Sequence, residues 1–409
     1  MRRLVFALLL FAALFAGAAI AMMSGGHKAS AANGSPSPAA SRGASGLVGG
    51  VGTPAPSATD DGSGTSPSPS ASDAPTPEPT PAGPVSPMDG RAVSTSLAAR
   101  HPIAVMVDDH PDARPQSGFN QASVVYQAPA EGGIPRYMML FDQGNPTLVG
   151  PVRSSRLYFI DWAAEWRAVY AHAGGSPQAL ATLKKYGTGT WVYNAEDFRW
   201  EGTYFHRMPP RVAPHNLYSN ATDLRKLAAR LGAKPIDPTV TPTWQFAPDA
   251  PLAQRPTGGT IAIARGKYLN VFYKYDRASN TYLRYVDGKR QVDAADTKPV
   301  APKNVVIMVV KFGPLSNSNP AKGRLEAQDI GTGRADIFTN GKVVAGTWKK
   351  TSATTLTRFY TNKGVEITLT VGQTFVQVVQ STSDFKFTKG TPAGSTPGTG
   401  ARSSPTPKP

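Results

Sequence analysis

Two low-complexity segments confine the folded part of this 409-residue chain to its middle. Residues 24–95 consist mainly of Ser, Pro, Ala, Gly and Thr, and residues 389–409 have a similar composition. Such segments hold too few large apolar side chains to offset the conformational entropy that folding removes. We therefore expect a disordered linker over 24–95, a folded region over 96–388 and a disordered tail over 389–409.

The first 23 residues predict export. Two arginines precede residues 4–23, which carry no charge and are mostly apolar. As a helix this stretch would reach about 30 Å, enough to cross a bilayer. Ala19-Ile20-Ala21 also has the small-x-small pattern of a cleavage site. Residues 1–23 are interpreted as a signal peptide or a retained membrane anchor, which places the rest outside the cytoplasm, anchored or secreted.

The chain contains no cysteine. This excludes disulfides, thiolate metal sites and lipid attachment through a cysteine. An exported protein without disulfides is more typical of a Gram-positive-type envelope than of a disulfide-stapled ectodomain.

The formal net charge is +16 at pH 7. A surface of this sign favours anionic partners. Outside a bacterial cell, the expected partner is an anionic cell-wall polymer or a wall-assembly protein, and the membrane is a further partner if residues 4–23 are not cleaved. Nucleic acid is disfavoured because the chain is expected to be exported.

The folded region divides by its hydrophobic pattern. Residues 96–235 alternate apolar, strand-like runs with helical patterns, which predicts an α/β domain. Residues 236–258 are rich in proline and form a connector. Residues 259–388 contain short strands with hairpin turns at Asp287-Gly288 and Asn340-Gly341, which predicts a mainly antiparallel β domain. We expect the two domains to have separate cores.

Candidate chemical groups collect in the α/β domain. Asp108 and Asp109 follow the apolar run "PIAVMV", and carboxylates at the ends of such strands commonly form sites. With His110 they could bind a divalent cation, although no metal signature is present and no cofactor is assigned. Asp108 or Glu131 could instead act as a general acid or base.

Arg153 lies just before a predicted helix that Ser154 or Ser155 could cap, and Arg156 is expected in the first turn of that helix. A cation at this end of a helix opposes the helix dipole, so it requires a negatively charged partner. That partner is either an internal carboxylate (Asp108, Asp109 or Glu131) or an external phosphate or carboxylate that the guanidinium groups grip.

The stretch "HAGGSP" predicts a strand, a tight turn and a helix that begins after Ser176 and ends at Gly187. Free N–H groups at Gly174, Gly175 and the helix start could hold an anion beside His172. The alternative is a strand-to-helix turn with no ligand.

Several long motifs, in order, resemble the YerB-like family of bacterial envelope proteins. They are "AVMVDDHPDARPQSG", "AEGGIPR", "GPVRSSRLYFIDWA", "HAGGSPQA" and "PHNLY". The resemblance covers about 96–235 and extends to about 385. It implies an envelope location and a two-domain layout, but not a reaction, because the family is largely uncharacterised. The residues of this chain that stand at the polar positions of the family motifs are Asp108, Arg114, Gln116, Glu131, Arg136, Arg153, Arg156, His172 and His215.

Two functions remain open. The first is a binding protein whose site for an anionic wall-related ligand is formed by Arg114, Arg136, Arg153, Arg156, His172, Gly174, Gly175, Ser176, His215 and Asn216. The second is an envelope hydrolase or transferase acting on phosphate-linked or glycan substrates, with Asp108 or Glu131 as the acid or base.

Overall fold

The computed structural model of the protein describes residues 83–316, 318–392 and 394. The predicted signal or anchor segment and most of the predicted linker and tail lie outside these residues. Within the described part, no helix is both long enough and apolar enough to cross a membrane.

Five α-helices lie in the described chain: α1 (Thr95–Ala98), α2 (Leu157–Ala164), α3 (Pro177–Tyr186), α4 (Asp197–Trp200) and α5 (Ala221–Arg230). The helix α3 follows its sequence signals. Ser176 accepts a hydrogen bond from the Ala179 amide as N-cap, and Gly187 terminates the helix. The predicted boundaries of this helix are confirmed.

The described strands are β1 (Ile103–Asp108), β2 (Val124–Ala128), β3 (Arg136–Phe141), β4 (Val169–His172), β5 (Tyr193–Glu196), β6 (His206–Arg207), β7 (Leu217–Tyr218), β8 (Phe246–Ala247), β9 (Thr260–Arg265), β10 (Leu269–Asp276), β11 (Thr281–Val286), β12 (Lys289–Arg290), β13 (Asn304–Val309), β14 (Phe312–Pro314), β15 (Leu325–Ala327), β16 (Gly331–Thr339), β17 (Lys342–Lys350), β18 (Arg358–Thr361), β19 (Leu369–Thr370), β20 (Thr374–Val379) and β21 (Phe385–Thr388).

Both predicted hairpin turns form. Asp287-Gly288 connects β11 to β12, and Asn340-Gly341 connects β16 to β17. All four residues have positive φ angles, between 50° and 74°. Two-residue turns of this kind match the twist of the strands they join, and Asn, Asp and Gly tolerate the conformation best.

A ten-stranded sheet runs through both halves of the chain, in the order β18-β17-β16-β13-β20-β2-β3-β1-β4-β5. Its two halves join where β2 pairs in parallel with β20, from Val124 opposite Thr374 to Gln127 opposite Gln377. The expectation of separate cores is therefore wrong, because strands of the two regions share one hydrogen-bonded sheet. The first region is mixed α/β, and the second is mainly antiparallel β.

A second sheet, in the order β12-β11-β10-β9-β21, is antiparallel throughout and has one buried face. That face and α5 form one apolar core with one side of the large sheet; this core includes Val105, Leu224 and Tyr273. Helices α2 and α3 form the other core with the opposite side of the sheet, which includes Met106 and Trp162. The large sheet is therefore covered on both faces, which explains why β1, β2 and β3 are buried along their whole length.

The folded chain begins before the predicted boundary at residue 96. Met88 and Asp89 are fully buried, and the Asp89 carboxylate accepts hydrogen bonds of 2.8 and 2.9 Å from Gln143. The connector is also packed rather than loose. Trp244 is 3% exposed, and its indole N–H donates to the Thr357 carbonyl over 2.8 Å.

Candidate functional site

Asp108 is the centre of a charged cluster at the carboxyl end of β1. Its side chain is fully buried, and two arginines and a histidine surround it. Arg136 Nη1 lies 3.3 Å from Oδ1, and Arg153 Nε lies 3.2 Å from Oδ2. His215 Nδ1 lies 2.8 Å from Oδ2.

Backbone pairing brings these residues together. In the antiparallel pair of β1 and β3, Asp108 stands opposite Arg136. The segment before α2 runs beside the end of β1, where the Asp108 amide donates to the Pro151 carbonyl and the Arg153 amide donates to the Met106 carbonyl, each over 2.9 Å. The two arginines are therefore placed by the sheet and by the segment that extends it.

The electrostatic surroundings keep Asp108 ionised. Burial alone would raise the pKa of its carboxyl group, but the charges of Arg136 and Arg153 hold that pKa below its usual value. An acid that is ionised, buried and held by three partners is a poor proton donor or acceptor near neutral pH. The geometry favours an anchoring role for Asp108 over the predicted acid or base role.

Arg156 pairs with the second predicted acid. Its Nη2 donates to Glu131, and its Nη1 donates to the Ser154 hydroxyl over 3.0 Å. The expectation that Ser154 or Ser155 caps α2 is wrong. Arg156 is the N-cap residue without a side-chain capping bond, and Ser155 instead hydrogen-bonds Tyr170.

The resulting arginine cluster (Arg136, Arg153 and Arg156 with Asp108 and Glu131) contains more positive than negative groups. Burial lowers the pKa of Arg136; Asp108 and Glu131 oppose this effect, and Arg156 and Arg153 add to it. The three guanidinium groups are therefore close enough to influence one another. Their three positive charges exceed the two negative charges of Asp108 and Glu131.

The guanidinium groups also retain buried N–H groups without hydrogen-bond partners. Among the described residues, Nε of Arg136 and Nε of Arg156 have no acceptor. Arg153 Nε is close to Asp108 but outside hydrogen-bond geometry. Buried donors without acceptors destabilise a protein, so an incoming oxygen-rich anion would gain contacts here.

His215 is held as one of a stacked pair. Its ring lies 4.9 Å from that of His110 at an interplanar angle of 20°, and Tyr268 of the β9–β10 hairpin lies 6.0 Å from His110. Within the described chain, no protein atom hydrogen-bonds its Nε2. Tyr268, a residue of the second region, therefore lies next to the histidine pair that adjoins Asp108.

The predicted metal-ligand set is not assembled. Asp109 is fully buried and points away from Asp108, because successive side chains of an extended chain lie on opposite sides. Its carboxylate accepts hydrogen bonds from Arg114, Gln116 and Gln127. Among the described residues, His110 instead lies beside Asp112 and His215, and ligand atoms of these three residues are within 4.8 Å of one another.

Asp109 belongs to a network that joins the two regions. Gln127 donates to Asp109 and accepts from Arg284 Nη2 over 2.7 Å. Arg114 bridges Asp109 and Asp287, the latter in the β11–β12 turn. Burial raises the pKa of Asp109 against the opposing charges of Arg114 and Arg284. In this geometry Arg114 and Gln116 make structural contacts, and neither belongs to the arginine cluster.

His172 lies in the strand-to-helix turn and has both ring nitrogens occupied. Nδ1 lies 2.8 Å from the Gly174 carbonyl, and Nε2 lies 2.7 Å from Asn194 Oδ1. Burial lowers the pKa of the fully buried ring, which favours its neutral form. Neither nitrogen is available to an anion in this arrangement.

The glycine turn supports the structural alternative. A Cβ at Gly175 would lie 3.3 Å from both Ser155 Cβ and the Ser155 carbonyl oxygen, so the residue permits close packing on the segment that carries the arginines. Ser176 is used as the cap of α3. Asn216 accepts from Arg207 and donates to the Arg211 carbonyl, each over 3.1 Å, and thereby fixes the loop that carries His215.

Comparisons with known proteins agree with this architecture. A family model described as "Protein of unknown function (DUF3048) N-terminal domain" matches residues 88–234, and its C-terminal counterpart matches residues 260–376. A Bacillus subtilis (strain 168) protein named "Putative lipoprotein YerB" is 29% identical over 306 residues, which cover 75% of this chain and 89% of the relative. The chain belongs to the YerB-like family.

A solved structure extends the comparison to the fold. The crystal structure of the YerB protein from Bacillus subtilis matches with a TM-score of 0.67 at 26% identity, and the match covers 75% of this chain and 99% of that one. The resemblance drawn from the sequence motifs and the predicted fold class are confirmed.

A second ionic group was not foreseen from the sequence. Lys350 Nζ lies 2.7 Å from Glu165 Oε1, and both side chains are fully buried. Lys350 also donates to the carbonyls of Ala353 and Thr355, and Thr357 donates to Glu165 over 2.6 Å.

Two further acids complete this lysine cluster (Lys350 with Asp161, Glu165 and Asp329). Burial raises the pKa of Asp161 to about 6, with Lys350 lowering it and Glu165 raising it. Burial and the neighbouring Asp161 raise the pKa of Asp329 to about 8, against the effect of Lys350. The only local signal was the placement of Asp161 and Glu165 four residues apart in an apolar helical stretch; Lys350 lies 185 residues beyond Glu165.

Proposed function

We propose that this protein is an exported envelope protein, membrane-anchored or secreted, that binds an anionic group of a wall-related ligand at the arginine cluster. The observation that carries the proposal is the set of three guanidinium groups beside only two carboxylates. Arginine cannot relieve such an excess by losing its proton, so an external anion is the natural counter-charge.

The chemistry of the cluster suits phosphate or carboxylate. Guanidinium groups donate two parallel hydrogen bonds to such anions, and these bonds are stronger than those between neutral groups. The buried Nε groups of Arg136 and Arg156 supply donors that no described protein atom uses. The Arg153 side chain is 27% exposed, which gives a ligand access from solvent.

Three observations support the location and the class of ligand. Residues 4–23 are uncharged and mostly apolar, as in a signal peptide or anchor. The Bacillus subtilis relative carries the name "Putative lipoprotein YerB". The net charge of +16 favours polyanions such as phosphate-containing wall polymers.

The test measures binding of poly(glycerol phosphate) and inorganic phosphate to the full chain by calorimetry. We expect Arg153→Gln to weaken polymer binding about tenfold, the effect of one charge-assisted contact. The loss should shrink as salt rises, because salt screens exposed charges. Arg290→Gln is the matched control, since Arg290 is an exposed residue of β12 outside the cluster.

Equal binding by the wild-type, Arg153→Gln and Arg290→Gln proteins would contradict the proposal. Equal losses for both variants would also contradict it, because they would indicate attraction by the whole basic surface.

A hydrolase or transferase acting on phosphate-linked substrates is the second candidate, and one observation favours it. Asp108 accepts from His215 Nδ1 and so orients the ring, which leaves Nε2 for proton transfer. In this version the acid or base is His215 rather than Asp108 or Glu131. Turnover of a phosphodiester substrate that His215→Asn abolishes, with polymer binding retained, would establish it.

A further inference from the structure

A cavity of about 590 Å³ lies in the second region, away from the arginine cluster. It is bordered by β9, by the β16–β17 hairpin and by the chain that follows β21. This volume falls within the range of pockets that hold small ligands, about 300 to 1,000 Å³.

Four buried apolar or aromatic side chains form the deep wall of the cavity. Ile261, Tyr275, Tyr282 and Phe338 line it and are each at most 5% exposed. Phe387 completes the wall, with its ring centroid 5.5 Å from that of Phe338 in an edge-on arrangement. Such rings provide a surface for an apolar chain.

The tyrosine hydroxyls are already used by the protein. Tyr275 donates to Asn280 Oδ1 over 2.8 Å, and Tyr282 accepts from the Gly341 amide over 3.0 Å. Both rings therefore contribute mainly carbon surface to the cavity. A Cβ at Gly341 would lie 2.3 Å from Tyr275, so the hairpin packs directly on this ring and fixes it.

The rim of the cavity is positively charged. Lys342 and Lys389 line it, both are exposed, and neither belongs to an ion pair among the described residues. No lining residue is acidic. The rim is also held in place, since Thr257 and Thr391 exchange two backbone hydrogen bonds of 2.8 Å next to Lys389.

We propose that this cavity binds a single-chain amphiphile with an anionic headgroup. The apolar chain lies against the aromatic wall, and the headgroup lies between Lys342 and Lys389. Charge complementarity selects the anion, because the lining offers two cations and no carboxylate. Removal of the chain's methylene groups from water supplies affinity.

The test uses the full chain and dodecyl phosphate below its critical micelle concentration. We expect saturable binding that Lys342→Glu combined with Lys389→Glu weakens about tenfold or more, because charge reversal replaces attraction with repulsion. The matched control is Lys349→Glu combined with Lys363→Glu, which reverses two exposed lysines outside the cavity. Laurate in place of dodecyl phosphate distinguishes a carboxylate from a phosphate headgroup, and binding of either supports the proposal.

Two further measurements locate the ligand. Val343→Trp places a large side chain in the cavity wall and should abolish binding while both lysines remain. A dodecyl phosphate carrying a diazirine on its chain should label residues 253–261, 338–343 and 387–392 after irradiation. These segments contain most of the lining.

Three results would overturn the proposal. The first is equal binding by the charge-reversed variant and its control. The second is labelling confined to residues 1–23, which would show attachment to the apolar start alone. The third is equal affinity for dodecanol, because an uncharged head would then serve as well as an anion.

Discussion

The arginine cluster and the lysine cluster are both buried ionic groups, but their charges are unbalanced in opposite directions. The first has three guanidinium groups and two carboxylates, and the second has one ammonium and three carboxyl groups. The first reaches solvent through Arg153, which is 27% exposed, whereas Lys350 and Glu165 are sealed.

The two clusters can relieve their imbalance only in different ways. Carboxyl groups can take up protons, and the raised pKa values of Asp161 and Asp329 show that response. Guanidinium groups stay charged at any pH the protein meets, so relief must come from an anion. The lysine cluster is therefore suited to a closed structural role, and the arginine cluster to binding.

The largest expected effect is that of Lys350→Met. Removing the ammonium leaves the buried Glu165 and its neighbour Asp161 without a counter-charge, which should lower the free energy of unfolding by about 3–5 kcal/mol at pH 7. Denaturant titration measures it. The loss should be smaller at pH 5, because Asp161, whose pKa is raised to about 6, is then mostly protonated.

Lys349→Met is the control for this prediction, since Lys349 is the exposed neighbour on β17. Equal stability losses for the two variants would show that the buried ammonium does not hold the cluster together, and the contrast with the arginine cluster would fail.

Asp329→Asn should have an intermediate effect that depends on pH. The folded-state pKa of about 8 lies above the usual 3.8, so the folded state binds the proton more tightly than the unfolded state. This acid therefore makes stability fall as pH rises from about 4 to about 8. The asparagine side chain of the Asp329→Asn variant does not ionise, so it causes no fall in stability over this pH range.

The measurement compares the melting of Asp329→Asn and wild-type protein at several pH values. The advantage of the variant should grow by more than about 1 kcal/mol between pH 5 and pH 7. An advantage that stays constant over this range would mean that Asp329 is ionised in the folded protein.

Arg153→Gln should have the smallest effect on stability, less than about 1 kcal/mol. Its side chain is partly exposed, and Asp108 keeps Arg136 and His215 as partners. Sulfate should raise the melting temperature of the wild-type protein more than that of the variant, because an anion bound to the folded state stabilises it.

A melting temperature of Arg153→Gln that drops strongly and does not respond to sulfate would show that this arginine is structural. Arg290→Gln again serves as the control, and its response to sulfate should equal that of the wild-type protein.

Local signals predicted much of the secondary structure. The cap at Ser176, the stop at Gly187 and the turns at Asp287-Gly288 and Asn340-Gly341 depend on neighbouring residues, which the sequence displays directly. The pairing of β2 with β20 joins residues about 250 positions apart, and no local pattern encodes it.

The sequence named residues of the candidate site but could not give the contacts between them. Asp108, Arg136 and Arg153 follow from the expectation that strand ends gather polar groups. Whether the neighbouring Asp109 lies with these residues depends on the side of the strand on which its side chain stands. In the structure, Asp109 stands on the opposite side and accepts a hydrogen bond from Gln127. His172 looked accessible in the sequence, but its partner Asn194 belongs to the adjacent strand β5.

The position of β20 between β13 and β2 also constrains the order in which the chain can mature. A nascent chain that has not yet released residues 374–379 has β2 as an open edge, with unpaired backbone groups beside an uncovered apolar face. The sheet of the first region then lacks the strand that pairs with β2. Pairing of β20 with both β13 and β2 is what joins the two regions in one sheet.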